Sequence, residues 1–197
     1  LIDYSLAPEL KFPHGINDCK KAFSWMLDNG PNGQGKCTKS FVSGDSAGGG
    51  LSLGVTLSLK DDGSQLPDAV MSLCPWAELD PVSESYETNA SNDPYISRDA
   101  ISAFRDLYIE NESDLKDPYA SPVYGEYDGF PPLLIQVGGR EVLLDDSLKV
   151  AEKAKKSGCE VKLEVWDDMV HVFQGYAPFL PEANEALEAI AKFISNK

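Results

Sequence analysis

"FVSGDSAGGG", residues 41–50, sets a single serine among glycines directly after a short apolar run. An ordinary surface serine needs no such neighbours. They are needed where the hydroxyl sits on a turn too tight for nearby Cβ atoms and must be approached closely by another molecule. Gly44-Asp45-Ser46-Ala47-Gly48 fits the G-x-S-x-G pattern, in which a nucleophile is held between the end of a strand and the start of a helix. Ser46 is therefore the first candidate for chemistry.

Outward from that turn the chain alternates. Residues 40–43 read as a buried strand, and residues 47–60 as a helix that opens with small residues and stops before Asp61-Asp62-Gly63. Upstream, Ile16, Cys19, Ala22, Phe23 and Met26 recur at helical spacing over residues 16–29, and Gly30-Pro31 ends the run. Residues 1–4 read as the end of a strand. Downstream, residues 69–76 and 132–139 are apolar strands, residues 145–157 a helix closed by Gly158, and residues 160–166 an alternating strand. A final helix over residues 181–196 carries Leu187, Ile190, Ala191 and Ile194 on one face. Strands alternating with helices imply an α/β fold with a mostly parallel sheet covered on both sides.

Residues 78–131 interrupt this rhythm. The stretch is polar, rich in Asn, Ser, Asp and Tyr, and contains one clear helix, with Ser97 as N-cap, Asp99 in the first turn and Ile101, Phe104, Leu107 and Tyr108 as its apolar stripe. Tyr86, Tyr95, Phe104, Tyr108 and Tyr119 need a surface to pack on. An insertion of this kind reads as a lid or edge elaboration within a single domain spanning residues 1–197.

Composition narrows the field. Apolar residues make up 42% and charged residues 25% of the 197-residue chain, which is ordinary for a globular protein. A net charge of −15, with no basic block, argues against a nucleic-acid phosphate backbone as partner. Cys19, Cys37, Cys74 and Cys159 are scattered without metal-ligand spacing, so no metal site is expected, and they read as free thiols of a reducing, cytoplasmic compartment. No run approaches the ~20 apolar residues of a membrane span.

A serine hydroxyl needs a base to take its proton as it attacks. Of the two histidines, His14 in "FPHGI" precedes a helix and suits a surface or capping role. His171 lies in the loop after the last strand, at the same carboxyl edge of the sheet as Ser46. The base in turn needs an acid to hold its tautomer. Glu141 stands closest to the end of the strand at residues 132–139, while Asp145 and Asp146 suit the N-cap and first turn of the following helix. Asp167 and Asp168, one turn from His171, are the alternative acids. The chain order Ser46, Glu141, His171 is that of α/β-hydrolases.

Further segments carry a resemblance to a known family. Tyr4-Ser5-Leu6-Ala7-Pro8-Glu9 is similar to the Y-R-L-A-P-E segment of the hormone-sensitive-lipase-like esterases, the bacterial family IV carboxylesterases. Gly44 to Gly49 resembles their nucleophile motif. Leu73-Cys74-Pro75-Trp76, Asp93-Pro94-Tyr95, Asp117-Pro118-Tyr119-Ala120-Ser121-Pro122 and His171-Val172-Phe173 follow in the family's order. The resemblance implies hydrolysis of small carboxylic esters with short acyl chains, through an acyl-enzyme and without cofactor. It implies Ser46 as nucleophile, His171 as base, Glu141 as acid and the Ala47 amide as one oxyanion donor. It leaves the substrate-binding residues unassigned.

In that family a strand and a His-Gly-Gly-Gly loop precede the Y-R-L-A-P-E segment, and the loop's amides complete the oxyanion site. The present sequence starts after that point, so the domain is expected to be incomplete at its N-terminus. The strand at residues 40–43 is then expected to lack a neighbour, which a missing segment or a second copy in a homo-oligomer would supply. Two other readings stay open: a catalytically impaired fragment, and a ligand-binding protein on the hydrolase scaffold. The presence of His171 speaks against the latter.

Overall fold

The structure is a computed structural model that describes residues 1–30 and 33–197. Helix α1 (His14–Asp28) is followed by two two-residue strands, β1 (Asn29–Gly30) and β2 (Gly33–Gln34), paired antiparallel. The stop expected at Gly30-Pro31 includes Pro31, which lies outside the described residues. Strand β3 (Phe41–Asp45) leads into α2 (Ala47–Asp61), and β4 (Ala69–Leu73) opens the long insertion. After the insertion come β5 (Leu133–Gly138), α5 (Leu144–Lys156), β6 (Val161–Trp166) and α6 (Pro181–Ser195). The insertion itself holds α3 (Ser85–Thr88) and α4 (Arg98–Tyr108) besides short 3-10 turns.

Strands β3, β4, β5 and β6 form one parallel sheet in chain order. This is the α/β-hydrolase architecture expected from the alternation of elements. Every residue of β5 is buried, whereas β3 and β6 are partly exposed edges. The strand of the serine turn is therefore not the buried strand expected: it has a neighbour on one side alone among the described residues. The period-2 geometry of a strand sends alternate side chains to opposite faces. Val70, Leu133 and Ile135 thus meet Leu53 and Leu57 of α2 and Val150, Ala151 and Ala154 of α5. Ala69, Met71 and Leu134 meet Phe193, Ile190 and Ile194 of α6 on the other side. Helix α2 is apolar nearly all round because it is covered twice: Val55 and Leu59 face Ile16, Cys19 and Phe23 of α1. A helix buried on every side has no use for a polar face. Among the described residues no helix is long and apolar enough to cross a membrane.

Two further expectations need correction. Residues 1–4 form no strand: Leu1 and Ile2 are exposed, and Tyr4 instead packs into the cluster around α1. A strand is defined by its pairing, and among the described residues no strand lies beside β3 on its outer edge. The second correction concerns the N-cap of α5, which is Leu143 with no side-chain hydrogen bond and not Asp145; Asp145 and Asp146 both stand in the first turn, as expected for Asp146. Both reach into the insertion, as described below. By contrast, Ser97 caps α4 as expected, its hydroxyl accepting from the Ala100 amide at 3.2 Å, and Gly158 closes α5 with a φ of +80°.

Candidate active site

Ser46 stands between the last residue of β3 and the first of α2, with φ 57° and ψ −122°. This left-handed conformation is strained for a residue with a Cβ, and its surroundings impose it. The Ser46 amide donates to the Leu73 carbonyl of β4 at 2.9 Å, and its carbonyl accepts from Gly50 at 3.1 Å and Trp76 at 3.0 Å. The glycines now have separate reasons. A Cβ on Gly44 would lie 2.2 Å from the Gly48 carbonyl oxygen, and one on Gly50 would lie 2.0 Å from that of Trp76. Gly44 lets the chain fold back tightly, and Gly50 lets α2 press against the segment leaving β4.

His171 and Glu141 arrive on the loops after β6 and β5. His171 Nε2 is 2.8 Å from Ser46 Oγ, and His171 Nδ1 is 2.6 Å from Glu141 Oε2. Glu141 is fully buried, and its other oxygen, Oε1, accepts from the Gly138 amide at 2.6 Å. A buried carboxylate without partners would be costly; here both oxygens are occupied. The two loops are tied together by backbone: Gly139 donates to the Trp166 carbonyl at 2.8 Å and Arg140 to that of Met169 at 3.1 Å. Arg140 also forms an ion pair with Asp168 at 2.9 Å.

Of the candidates read from sequence, Ser46, Glu141 and His171 come together, and Ala47 follows as the first residue of α2, where amides have no intrahelical acceptor. Asp168 is turned outward to Arg140, and Asp167 is exposed. His14 lies exposed at the start of α1.

The four cysteines are free. Cys74, the residue after β4, is fully buried beside the site, where its sulfur accepts from the Val172 amide at 3.4 Å. Burial, reinforced by the nearby Glu141, pushes its thiol well above the usual range. Cys74, Glu141 and His171 bring ligand-type atoms within 4.8 Å of one another. The 2.6 Å between Glu141 and His171 is a direct hydrogen bond, closer than the roughly 3 Å at which two ligands of one small ion sit. This cluster is better suited to holding a proton than a metal.

An apolar cavity of about 370 Å³ opens onto Ser46. Its walls are Tyr4 and Leu6 from the N-terminal segment, Trp76 and Leu79 after β4, and Ile101, Phe104, Leu107 and Tyr108 of α4. The insertion thus forms one side of the site. Of the apolar stripe on α4, Ile101 is buried, whereas Phe104 and Leu107, which line this cavity, are about half exposed.

Asp146 anchors the root of the insertion. Its side chain is completely buried, and Oδ2 accepts from the Ala77 and Glu78 amides, each at 2.9 Å. Burial pushes its carboxyl up to about 8, against the pull of the two amides. The unfolded chain releases this proton near 3.8, so between those values the folded state holds a proton that the unfolded state has lost. That stabilisation is present in full at low pH and is lost as pH rises toward 8. Urea unfolding of wild type and Asp146→Asn from pH 4 to pH 8 should show the wild type losing stability relative to the variant as pH rises. Parallel profiles would contradict this account.

Comparison with known proteins gives the family of the fold. Residues 1–175 match the family described as the alpha/beta hydrolase fold, and the chain belongs to that family. It is similar to an acetyl-hydrolase of Streptomyces hygroscopicus, 35% identical over 194 residues, which cover 98% of this chain and 63% of the relative. An esterase of Acinetobacter venetianus is 34% identical over 195 residues, covering 99% and 63%. Among solved structures, an esterase from the bacterial hormone-sensitive lipase family superimposes with a TM-score of 0.91 at 41% identity, covering 97% of this chain and 63% of that one. The likeness to hormone-sensitive-lipase-like esterases read from the motifs is borne out. The chain spans 63% of the length of each of these three proteins.

Proposed function

We propose that this chain carries the nucleophile, base and acid of a serine carboxylesterase acting on small esters with short acyl groups. The observation that carries the reading is the unbroken hydrogen-bond chain from Ser46 Oγ through the His171 ring to Glu141, at 2.8 Å and 2.6 Å. The names of the relatives, acetyl-hydrolase and esterase, support the same class of substrate.

In this mechanism Ser46 Oγ attacks the ester carbonyl carbon while His171 Nε2 takes its proton. The carbonyl π electrons move to oxygen, and the Ala47 amide donates to that oxyanion. Glu141 holds the Nδ1 proton and steadies the imidazolium. Collapse of the tetrahedral intermediate breaks the bond to the alcohol, which leaves with the proton from Nε2. Water, deprotonated by the same nitrogen, then attacks the acyl-serine and releases the carboxylic acid, returning the proton to Ser46. The apolar cavity of about 370 Å³ lies at the small end of ligand pockets and accommodates a short chain in an apolar setting.

The test is hydrolysis of p-nitrophenyl acetate by the full-length protein, with a burst of p-nitrophenolate in the first turnover and falling kcat/KM as the acyl chain lengthens. Ser46→Ala should abolish it. Equal rates for wild type and variant would remove Ser46 from the reaction.

A further inference from the structure

Glu141 has a longer side chain to control than an aspartate would, and its carboxylate reaches His171 only if both ends of the residue are fixed. The Gly138 amide holds the head, through Oε1 at 2.6 Å. The backbone end is held from the insertion. Asn89 Nδ2 donates to the Glu141 carbonyl at 2.9 Å and to the Gly139 carbonyl at 3.1 Å. Asp93 Oδ2 accepts from the Val142 amide at 3.0 Å. The carbonyl and the N–H of the Glu141–Val142 peptide are thus each gripped by a side chain from elsewhere in the chain.

The pattern of exposure singles out the same two residues. Over residues 87–95 every residue is exposed except Asn89 and Asp93, which alone turn inward. Asp93 is itself fixed, since its other oxygen accepts from the Tyr95 amide at 2.9 Å and the Ile96 amide at 3.0 Å. Asn89 terminates α3, and its own amide donates to the Ser85 carbonyl at 3.0 Å. Ser85 continues the clamp, its hydroxyl donating to the Val142 carbonyl at 2.6 Å and its amide to Asp145 Oδ2 at 2.8 Å. Further along, the Tyr95 hydroxyl hydrogen-bonds that of Tyr176, just beyond the histidine loop.

We infer that Asn89 and Asp93 are positioning residues that hold the Glu141–Val142 peptide so that the Glu141 carboxylate meets His171, an inference that rests on the reading of Glu141 as the catalytic acid. Rotation of that peptide plane swings the carboxylate off the imidazole. The insertion therefore does two things: α4 walls the cavity, and residues 85–96 brace the acid. Neither Asn89 nor Asp93 lines the cavity, so their loss acts on the chemical step and leaves substrate binding in place.

The experiment compares Asn89→Ala, Asn89→Asp, Asp93→Ala and Asp93→Asn with wild type in the full-length protein. Asn89→Asp keeps the size of the side chain but faces two carbonyls with an acceptor. Asp93→Asn keeps one acceptor and is the partial rescue. Displacement of a catalytic group by about 1 Å costs up to about 100-fold, so kcat for p-nitrophenyl acetate should fall about 10- to 100-fold in both alanine variants and in Asn89→Asp, with Asp93→Asn between. KM should stay within about twofold of wild type. The proton NMR signal of the His171 Nδ1–H, displaced downfield by its bond to Glu141, should move upfield in the same variants. Thr88→Ala, on an exposed neighbour, is the control and should leave kcat and the signal unchanged. Unchanged kcat and an unmoved signal in the folded variants would overturn the inference. So would a loss confined to KM or thermal stability. The signal reads the brace without turnover, so an inactive wild type would count against the esterase reading alone.

Discussion

Replacing His171 with alanine in the full-length protein is expected to lower kcat for p-nitrophenyl acetate by about 10⁵- to 10⁶-fold, because members of such a triad act as one unit and the loss of the base alone disables all of it. Ser46 Oγ then retains no base at the 2.8 Å that separates it from Nε2. The variant should remain folded, since the ring is buried in a loop outside the apolar clusters of the sheet. His14→Ala, on an exposed residue that does not line the cavity, serves as the comparison and should match wild type. Comparable losses in the two variants would contradict the assignment, and so would comparable retention. Steady-state kinetics with circular dichroism of each variant decides between these results.

Glu141→Gln is expected to lower kcat by about 10⁴-fold, the scale found when a triad carboxylate becomes an amide. The carbonyl oxygen of the introduced amide can still accept from the Gly138 amide, so the turn after β5 survives. Its NH₂ would face His171 Nδ1 and require that nitrogen to be an acceptor. The ring proton would then sit on Nε2, where Ser46 needs a lone pair. Asp167→Asn and Asp168→Asn should stay within about threefold of wild type, because exposed ion pairs such as that of Asp168 with Arg140 contribute little. If Asp167→Asn is the crippled variant and Glu141→Gln is not, the acid has been misassigned.

The sequence made the frame of this site legible where a residue's role follows from its immediate neighbours. The glycines around Ser46 imply a tight turn, and the turn is there with the φ of 57° that such a motif requires. The order of strand, loop and helix places Glu141 and His171 at one edge of a parallel sheet, and all three side chains meet there. Elements bounded by their own stop signals, such as α5 ending at Gly158 or α4 starting after Ser97, fall within a residue or two of their expected limits.

What stayed hidden depends on long-range contact. Asp146 looks like a first-turn acid of α5, an exposed and ordinary position. Its burial beneath the Ala77 and Glu78 amides follows only from how the insertion leaves β4. Asn89 and Asp93 lie 52 and 49 residues from the atoms they hold, too far for any local pattern to pair them, although the Asp93-Pro94-Tyr95 motif marked the place. The stripe on α4 has the period of a buried helix face, and periodicity does not distinguish a core from the wall of a cavity. Residues 1–4 have strand-like composition, but a strand also needs a partner.

The central claim is that Ser46 carries the acyl group. Intact-mass spectrometry of the full-length protein, acid-quenched during turnover of p-nitrophenyl acetate, tests it most directly. The account predicts one added acetyl group per chain, mapped to the peptide containing Ser46 and absent from Ser46→Ala. An acetyl group found on another residue, or turnover by Ser46→Ala at the wild-type rate, would contradict it.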